Sequence, residues 1–484
     1  MKKMLLIILA IFLARATHPC PAGERAEAES RKGVVLILAD DLSAHLGCMG
    51  TPAISTPTAD ALAREGVMFT RAFSSCASCS PSRSSILTGM YPHSNGHWRN
   101  TWAPGIDAPE REFTKDAEKQ YDQVGVHESV PTLTEVLNPL GIYTGMTSKF
   151  HLSPSWKYQF QGRIRKGSGP EDYYAMTREL LEMAGDKPYY IQVNISAPHR
   201  PFRNHLRYHQ GEMPALDEIE VPPFLADTEE MRRDLQEYYG CVEVADQCAS
   251  GVIRALKQTG EYGRALIIFS SDQGMAYHRA KASPYYAGTH IPMIILGPGV
   301  RQHAINSELV SLIDLMPTIL DHLGVDIPAT VQGKSLIPIL KGETEELADR
   351  DFIYMEHNSH GPDTSEFYPS RAVFDGRYYY IRNLCPGKTY LLPADLEFYE
   401  RWGNMSYQAT VHARESYPEH YRLLVELQEN RPPQELYDME TDPGQFHNLV
   451  GYGHYDEIRE ALKENLENWM METRDSILQV MDLP

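Results

Sequence analysis

A cysteine block at residues 79–83 carries the strongest chemical signal in the chain. It reads CSPSR from Cys79 to Arg83 and continues as a helix-like run to Gly89. Pro81 and that run place residue 79 at a helix N-terminus, where backbone N–H groups and the helix dipole favour an anion. We therefore expect residue 79 at the rim of a pocket that binds an anionic group.

Cys76 leaves other interpretations of the same block open. Cys76 and Cys79 form a C-x-x-C pair, which is typical of a redox site or of half a zinc site. A redox pair needs a thioredoxin-like context and zinc needs a second ligand pair, and neither pattern is visible in the sequence. A capped helix start with an inert thiol is the third interpretation.

Two polar pairs follow predicted strands and carry oxygen ligands. Asp40-Asp41 follows the run at 33–38, and Asp272-Gln273 follows the run at 265–270. Carboxylate and amide oxygens are hard donors, which favours Ca²⁺ or Mg²⁺ over zinc. The sequence therefore predicts that Asp40, Asp41, Asp272 and Gln273 bind one divalent metal ion.

The elements that position these residues form an α/β pattern. Short aliphatic or β-branched runs alternate with amphipathic stretches, which predicts a large, mostly parallel central sheet. The predicted strands are 33–38, 142–148, 189–195, 265–270 and 292–296, and the predicted helices include 57–66 and 231–258. Lys149 and His151 follow the second strand, and His199 follows the third. Ligands bind outside the carboxyl ends of such strands, so one crevice should collect these residues.

The sequence pattern changes near residue 349. Tyrosine-rich alternation at 370–382 predicts antiparallel strands, and 455–480 predicts a terminal helix. We therefore predict a catalytic α/β domain over 31–348 and a smaller α+β domain with an antiparallel sheet over 349–484.

Composition and the N-terminus limit the functional classes. A formal net charge of -20 excludes a general nucleic-acid binder, and seven cysteines are too few and odd in number for a disulfide framework. Residues 1–22 have the lysines, apolar run and small-residue site of a signal peptide, which predicts export to the periplasm or secretion. Cys20 lacks the apolar neighbour typical of a lipid anchor. No other segment predicts a membrane span.

The cysteine block resembles the C-x-P-S-R signature of the type I sulfatase family, in which a maturation enzyme oxidises the cysteine to formylglycine. Further segments resemble the successive blocks of that family in the same order, namely 35–41, 144–152, 197–200, 270–274 and 281–292. The resemblance covers about residues 33 to 340. It implies an alkaline-phosphatase-like fold, and it implies that Cys79 becomes formylglycine.

Sulfate hydrolysis explains why such a side chain is useful. A sulfate ester repels an incoming nucleophile, and a sulfated serine would be hard to release. A hydrated aldehyde has two hydroxyls, of which one attacks sulfur and the other later expels sulfate by re-forming the carbonyl.

The resemblance also assigns roles to basic residues. Arg83, Lys149 and Lys281 hold positive charge around the sulfate and the diol. His151 is the base that deprotonates the diol for sulfate release. His199 binds sulfate and, with Lys281, protonates the leaving atom.

For the metal site, the resemblance implies that Asp41, bound to the metal, activates the attacking hydroxyl, and that Ca²⁺ is the preferred ion. The position of Gln273 usually holds Asn or His in the family, so this residue departs from the pattern.

The substrate is expected to be a sulfated glycan. Segments 76–95, 370–384 and 435–449 resemble the heparan N-sulfatase branch of the family, which implies N-sulfoglucosamine of heparin or heparan sulfate. Ala197 departs from that branch, where Asp is expected. Candidate saccharide contacts are Glu356, His357 and Arg371.

Three alternative functions remain open at this point. They are an O-sulfatase acting on another saccharide, a phosphatase or phosphonate hydrolase of the same superfamily, and a silent glycan-binding protein with unconverted Cys79. The second generally requires two metal sites, and the sequence offers residues for one.

Overall fold

Two separate β-sheets organise the chain. The computed structural model describes residues 32–101, 124–361, 367–390 and 405–477. The predicted signal peptide lies outside these residues. The strands are β1 Gly33–Ala39, β2 Val67–Phe73, β3 Tyr143–Thr147, β4 Gly162–Ile164, β5 Tyr189–Asn194, β6 Ala265–Ser271, β7 His290–Leu296, β8 Ala304–Asn306, β9 Val310–Ser311, β10 Ile353–His357, β11 Ser370–Phe374, β12 Tyr378–Asn383 and β13 Gln434–Asp438.

Helices of very different length connect these strands. They are α1 Pro57–Glu65, α2 Cys79–Thr88, α3 Pro92–Asn95, α4 Leu133–Leu137, α5 Pro170–Ala184, α6 Arg203–Leu206, α7 Glu229–Thr259, α8 Tyr286–Thr289, α9 Leu315–Leu323, α10 Ile337–Lys341, α11 Met405–His412, α12 Pro418–Tyr421, α13 Leu427–Glu429 and α14 Asp456–Glu472. Among the described residues, no helix combines the length and the apolar character that a membrane crossing requires.

The large sheet has the predicted mostly parallel character. Its strand order is β4-β3-β5-β1-β6-β7-β2-β8, with β9 beside β2. Only β7, among the described strands of this sheet, runs antiparallel to its neighbours. All five predicted strands are confirmed to within two residues at each end. The fold class is therefore confirmed as α/β.

The sequence pattern missed β2 and the direction of β7. Thr70 and Arg71 interrupt the apolar run of β2, and both are less buried than the residues around them. The direction of β7 depends on its pairing with β6 and β2, which lie far from each other in the sequence. The periodicity of apolar residues within a strand does not show whether that strand runs parallel or antiparallel to its neighbours.

The two helices predicted from their terminal residues and from hydrophobic periodicity are present. Helix α7 extends the predicted 231–258 by two residues at its start and one at its end, and the Thr228 side chain accepts from the N–H of Met231. Helix α1 begins at Pro57, as predicted, but the Thr56 side chain does not cap it. Instead, Asp246 of α7 accepts the N–H groups of the first turn at 2.7 and 3.0 Å.

The second sheet is antiparallel, in the order β10-β11-β12-β13. Its strands β11 and β12 form the hairpin predicted at 370–382, and helix α14 packs against both. The end of the helix predicted at 455–480 lies partly outside the described residues, and α14 itself ends at Glu472. The division into separate domains at residue 349 stays a prediction.

Candidate active site

Four neighbouring strands of the large sheet end at the same edge. In the order β3, β5, β1 and β6, the register pairs Leu38 with Asn194 and Ala39 with Ser271. The loops that follow these strands carry the polar residues that the sequence singled out. Sheet geometry therefore brings together residues from four distant segments, as predicted.

Asp40 and Asp41 form the centre of the cluster, and each binds a lysine. Lys149 Nζ lies 2.7 Å from Asp40 Oδ2, and Lys281 Nζ lies 2.9 Å from Asp41 Oδ2. Arg83 Nη2 lies 3.7 Å from the same Asp40 oxygen. Asp41 has a φ of 67°, in the left-handed region. This turn directly after β1 directs the two successive carboxylates towards different partners.

Cys79 is the first residue of α2, as predicted, but it does not lie at a pocket rim. All ten residues of α2 are buried, and Cys79 itself is 2% exposed. Its Sγ lies 3.8 Å from Asp40 Oδ1 and 3.0 Å from Gln273 Nε2. Residue 79 is therefore enclosed by the surrounding chain and contacts the polar cluster from inside.

Arg83 is held by two acceptors, one of which the sequence did not reveal. Its Nε and Nη2 atoms contact Asp272 Oδ2 at 2.9 and 2.8 Å. Its Nη1 atom donates to Asn194 Oδ1 at 2.9 Å. Asn194 is the last residue of β5, and its only sequence signal is a polar side chain ending a buried strand. Within the described residues, Arg83 is fully enclosed.

The two predicted histidines lie at the open side of the cluster. His199 is 23% exposed, with Nε2 at 3.9 Å from Asp41 Oδ2. Its Nδ1 donates to the Arg200 carbonyl, which sets the tautomer and leaves Nε2 facing the carboxylates. His151 Nε2 contacts the Thr101 carbonyl at 3.0 Å. Burial and nearby Lys149 lower the pKa of His151, and burial and Lys281 lower the pKa of His199.

Charges of both signs crowd this buried region. Burial works to raise the pKa of Asp40, but the cations around it, Lys149 first, hold that pKa well below its usual range. Burial and the neighbouring Asp40 raise the pKa of Asp272 to about 7. Burial also raises the pKa of the Cys79 thiol to about 12. Burial therefore disfavours the thiolate form of the unmodified side chain at position 79.

The donor set fits a divalent cation. Ligand atoms of Asp40, Asp41, Cys79 and His199 all lie within 4.8 Å of one another. Gln273 Oε1 is buried and has no hydrogen-bond partner among the described residues, which is the situation expected of a metal ligand in the absence of its ion. The Asp272 carboxylate, unlike the Gln273 oxygen, already has hydrogen-bond donors, because it accepts from the Asp41 N–H and from Arg83.

The candidate saccharide contacts are not part of this cluster. Glu356 is fully buried and binds the His93 backbone and ring. His357 is fully buried, with Nε2 at 3.3 Å from the hydroxyl of Tyr390. Arg371 lines a cavity of about 260 Å³.

Arg371 also has protein acceptors for its donors. Its Nε and Nη2 atoms bind the Asp475 carboxylate at 2.6 and 3.0 Å, and its Nη1 atom donates to Asn358 Oδ1 at 3.0 Å. A contact between Arg371 and a saccharide stays a prediction.

The Sulfatase family model matches residues 32–325, which include every residue of the cluster. The chain belongs to the sulfatase family. A second model, N-sulphoglucosamine sulphohydrolase, C-terminal, matches residues 280–397. Together with the relatives below, this makes the protein a sulfuric ester hydrolase.

Among curated sulfatases, the chain is 28% identical to N-sulphoglucosamine sulphohydrolase of Homo sapiens, over 92% of this chain and 91% of that protein. It is 26% identical to an ulvan-active sulfatase of Formosa agariphila, over 95% of this chain and 84% of that protein.

Solved structures share the fold of this sulfatase. One, in complex with its substrate D-glucosamine-2-N,6-O-disulfate, superposes with a TM-score of 0.66 at 19% identity, covering 92% of this chain and 98% of that one. Another is a phosphonate monoester hydrolase of Silicibacter pomeroyi, with a TM-score of 0.63 at 19% identity, covering 92% and 96%. These likenesses support the predicted alkaline-phosphatase-like architecture.

Proposed function

We propose that this sulfatase removes sulfate groups from a sulfated saccharide with a formylglycine made from Cys79. The observation that carries the proposal is the position of residue 79. Its Sγ lies at the N-terminus of α2, within 3.8 Å of Asp40 Oδ1 and 3.0 Å of Gln273 Nε2. A side chain placed there would face carboxylates, an amide and three basic residues at once.

Formylglycine at this position, once hydrated, supplies two hydroxyls, one to attack sulfur and one to expel sulfate afterwards. The site has the ligands for one divalent metal ion, which would supply fixed positive charge next to these groups. Asp40, Asp41 and Gln273 would hold it, with Asp272 as a further carboxylate. All four are oxygen donors, so Ca²⁺ is the proposed ion and Mg²⁺ the alternative.

Three cations would stabilise the sulfate group as negative charge develops on it. Arg83 and Lys149 both approach Asp40 Oδ2, and Lys281 lies beside Asp41. Each is anchored by a carboxylate, so the charges are already oriented before substrate arrives. Preorganised charge of this kind lowers the barrier because no side chain has to reorganise during the reaction.

Proton transfers would use the two histidines. The hydrogen bond from His199 Nδ1 to the Arg200 carbonyl leaves Nε2 facing the carboxylates, and a proton taken up at Nε2 would be the one passed to the leaving atom of a bound substrate. His151 sits after β3 in the same cluster and would remove a proton from the diol when sulfate is released. Asp41 would orient the attacking hydroxyl.

The proposed substrate is N-sulfoglucosamine of heparin or heparan sulfate. The human relative extends over nearly the whole chain, and the C-terminal model of that enzyme matches residues 280–397. In such a substrate the leaving group is an amine, which His199 would protonate. Ala197, at 1% exposure, stands where that branch of the family is expected to carry Asp. This difference makes an O-sulfated saccharide the main alternative.

The second alternative is a phosphonate or phosphate ester. A phosphonate monoester hydrolase shares this fold over 92% of the chain. Phosphoryl and sulfuryl groups have similar tetrahedral shapes but differ in charge. The enzyme's relative turnover of a phosphonate ester and of a sulfated saccharide therefore separates the two activities.

The working protein would be exported, to the periplasm or outside the cell, after removal of the signal peptide at residues 1–22. Its partners would be the saccharide and a formylglycine-generating enzyme that acts on the segment around Cys79.

Sulfate release from a panel of compounds tests the proposal. The panel contains N-sulfoglucosamine, glucosamine 6-sulfate, a 2-O-sulfated disaccharide and a phosphonate monoester. We expect turnover of N-sulfoglucosamine, and a loss of at least about a thousandfold in Cys79→Ala, because the nucleophile is removed. Preference for the phosphonate would favour the second alternative, and full activity in Cys79→Ala would refute the mechanism.

A further inference from the structure

A row of polar side chains crosses the interior of the large sheet. Tyr190, Gln192 and Asn194 alternate along β5 and therefore lie on one face. All three are fully buried. Gln192 is paired across the sheet with Leu36 on one side and Met146 on the other. An amide in an apolar layer lowers stability unless every polar atom is satisfied, so its presence requires an explanation.

Backbone carbonyls fix the orientation of the whole row. Asn194 Nδ2 donates to the carbonyls of Lys149 at 2.7 Å and Thr147 at 3.2 Å, so its Oδ1 must point the other way. Gln192 Nε2 then donates to Asn194 Oδ1 at 2.9 Å. The Tyr190 hydroxyl completes the row by donating to Gln192 Oε1 at 2.8 Å.

The free end of this row reaches the active site. Asn194 Oδ1 accepts from Arg83 Nη1 at 2.9 Å, while the other side of the guanidinium binds Asp272. The same amide holds the backbone of Lys149, whose Nζ binds Asp40. One side chain thus orients two of the three cations proposed to stabilise the reacting sulfate, and these two come from different segments of the chain.

We propose that Asn194 is a positioning residue that sets Arg83 and Lys149 relative to residue 79, and that Gln192, as a second donor to Asn194 Oδ1, adds to the support from the backbone carbonyls. The proposal rests on the function proposed above, in which these cations stabilise the reacting sulfate. A two-sided hold limits rotation of the guanidinium, and small errors in the placement of a charged group reduce catalysis strongly. The buried amides lower the stability of the sheet, and their role in placing Arg83 and Lys149 explains why they are present.

Asn194→Leu tests the proposal, because leucine has nearly the same shape and no hydrogen-bonding atoms. The charges remain in the site and only their placement changes. We expect kcat to fall about 10- to 100-fold, as is usual when a supporting hydrogen-bond partner is removed. We expect KM to change by less than about threefold, since loss confined to the transition state lowers kcat and leaves binding intact.

Tyr190→Phe is the matched control on the same face of the same strand. It also leaves a buried polar atom without a partner, Gln192 Oε1, but it does not touch Arg83 or Lys149. We expect its kcat to stay within about twofold of wild type, although its thermal stability falls. Equal losses of kcat in the control and in Asn194→Leu would mean general damage to the strand and would overturn the proposal.

The double variant Tyr190→Phe/Gln192→Leu removes the supporting row and leaves Asn194 in place. Its new side chains match the apolar neighbours, so we expect a melting temperature at or above that of wild type and a kcat lowered about 3- to 10-fold. Unchanged kcat in Asn194→Leu would overturn the proposal. If Asn194→Leu fails to fold, unchanged kcat in this double variant would overturn it instead.

Each comparison uses the panel compound that the wild-type enzyme turns over fastest. A wild-type preference for an O-sulfate or a phosphonate would replace the proposed substrate, yet the same variants would still be compared on that compound. Failure of the proposed substrate and failure of the role of Asn194 are therefore distinguishable results.

Discussion

Gln273 Nε2 lies 2.6 Å from Asp41 Oδ1, which joins the loop after β6 to the loop after β1 across 232 residues. The opposite end of the amide, Oε1, is buried without a partner among the described residues. An amide in this state has an unused acceptor in the centre of a carboxylate cluster. The arrangement indicates that Gln273 can serve as a metal ligand, although the family usually carries a different residue there.

Gln273→Ala should therefore weaken calcium binding. We expect the affinity to fall at least about tenfold, because one oxygen donor is lost and Asp41 loses the amide that orients its carboxylate. Calorimetric titration of chelator-treated protein with Ca²⁺ measures the effect. Gln236→Ala on α7 is the control, since Gln236 donates to the Pro214 carbonyl and lies outside the cluster. Equal affinity in wild type and Gln273→Ala would exclude Gln273 as a ligand.

The sequence predicted which residues form this site better than it predicted their contacts. The strand-end rule placed Asp40, Lys149, His199 and Asp272 at one edge of the sheet, and the register of the sheet confirms that placement. It did not reveal Asn194, because one polar residue at a strand end looks like an ordinary turn. It also placed Cys79 at a rim, since local sequence does not show how deeply α2 is buried.

Acid should destabilise the protein through its buried histidines. His278 is fully buried and stacks on Tyr407 at 5.1 Å between ring centres. Burial, with a contribution from Arg200, lowers the pKa of His278 to about 3. The unfolded chain binds a proton near pH 6.5, so stability from this residue is complete above that pH and is lost as the pH falls towards 3.

His278→Phe should reduce this acid sensitivity. Between pH 6.5 and 3, the residue accounts for about 1.4 kcal/mol of unfolding free energy per pH unit. We expect the variant to lose less stability than wild type between pH 7 and pH 5, as measured by urea denaturation at both values. His447→Asn is the control, because that side chain is 75% exposed. Parallel acid profiles for wild type and His278→Phe would contradict the prediction.

The ion pair between Arg371 and Asp475 should stabilise the second sheet. Both side chains are 1% exposed, and Arg371 Nε lies 2.6 Å from Asp475 Oδ2. Asp475→Ala leaves a buried guanidinium unpaired, so we expect the unfolding free energy to fall by about 3–5 kcal/mol. Chemical denaturation measures this loss.

Glu182→Ala provides the surface comparison for that pair. Glu182 pairs with Arg178 on α5, and both are at least half exposed, so its loss should change stability by less than about 1 kcal/mol. Similar values for Asp475→Ala and Glu182→Ala would show that Arg371 does not depend on its partner and would favour a direct role for it in binding saccharide.

The fold was more predictable where structure is local. The ends of α7 and the five named strands follow from hydrophobic period and from capping residues such as Thr228. The antiparallel direction of β7 and the capping of α1 by Asp246 depend on contacts between distant segments. Those contacts are formed only when the sheet assembles, so no local pattern records them.

Mass spectrometry of the tryptic peptide 72–83, taken from the native host, tests the central claim most directly. The peptide contains both Cys76 and Cys79, so Cys76 is an internal control for an unmodified thiol. We predict that residue 79 carries an aldehyde, with its sulfur replaced by oxygen and two hydrogens lost, and that Cys76 still reacts with an alkylating reagent. Two alkylated cysteines in protein that releases sulfate would contradict the account.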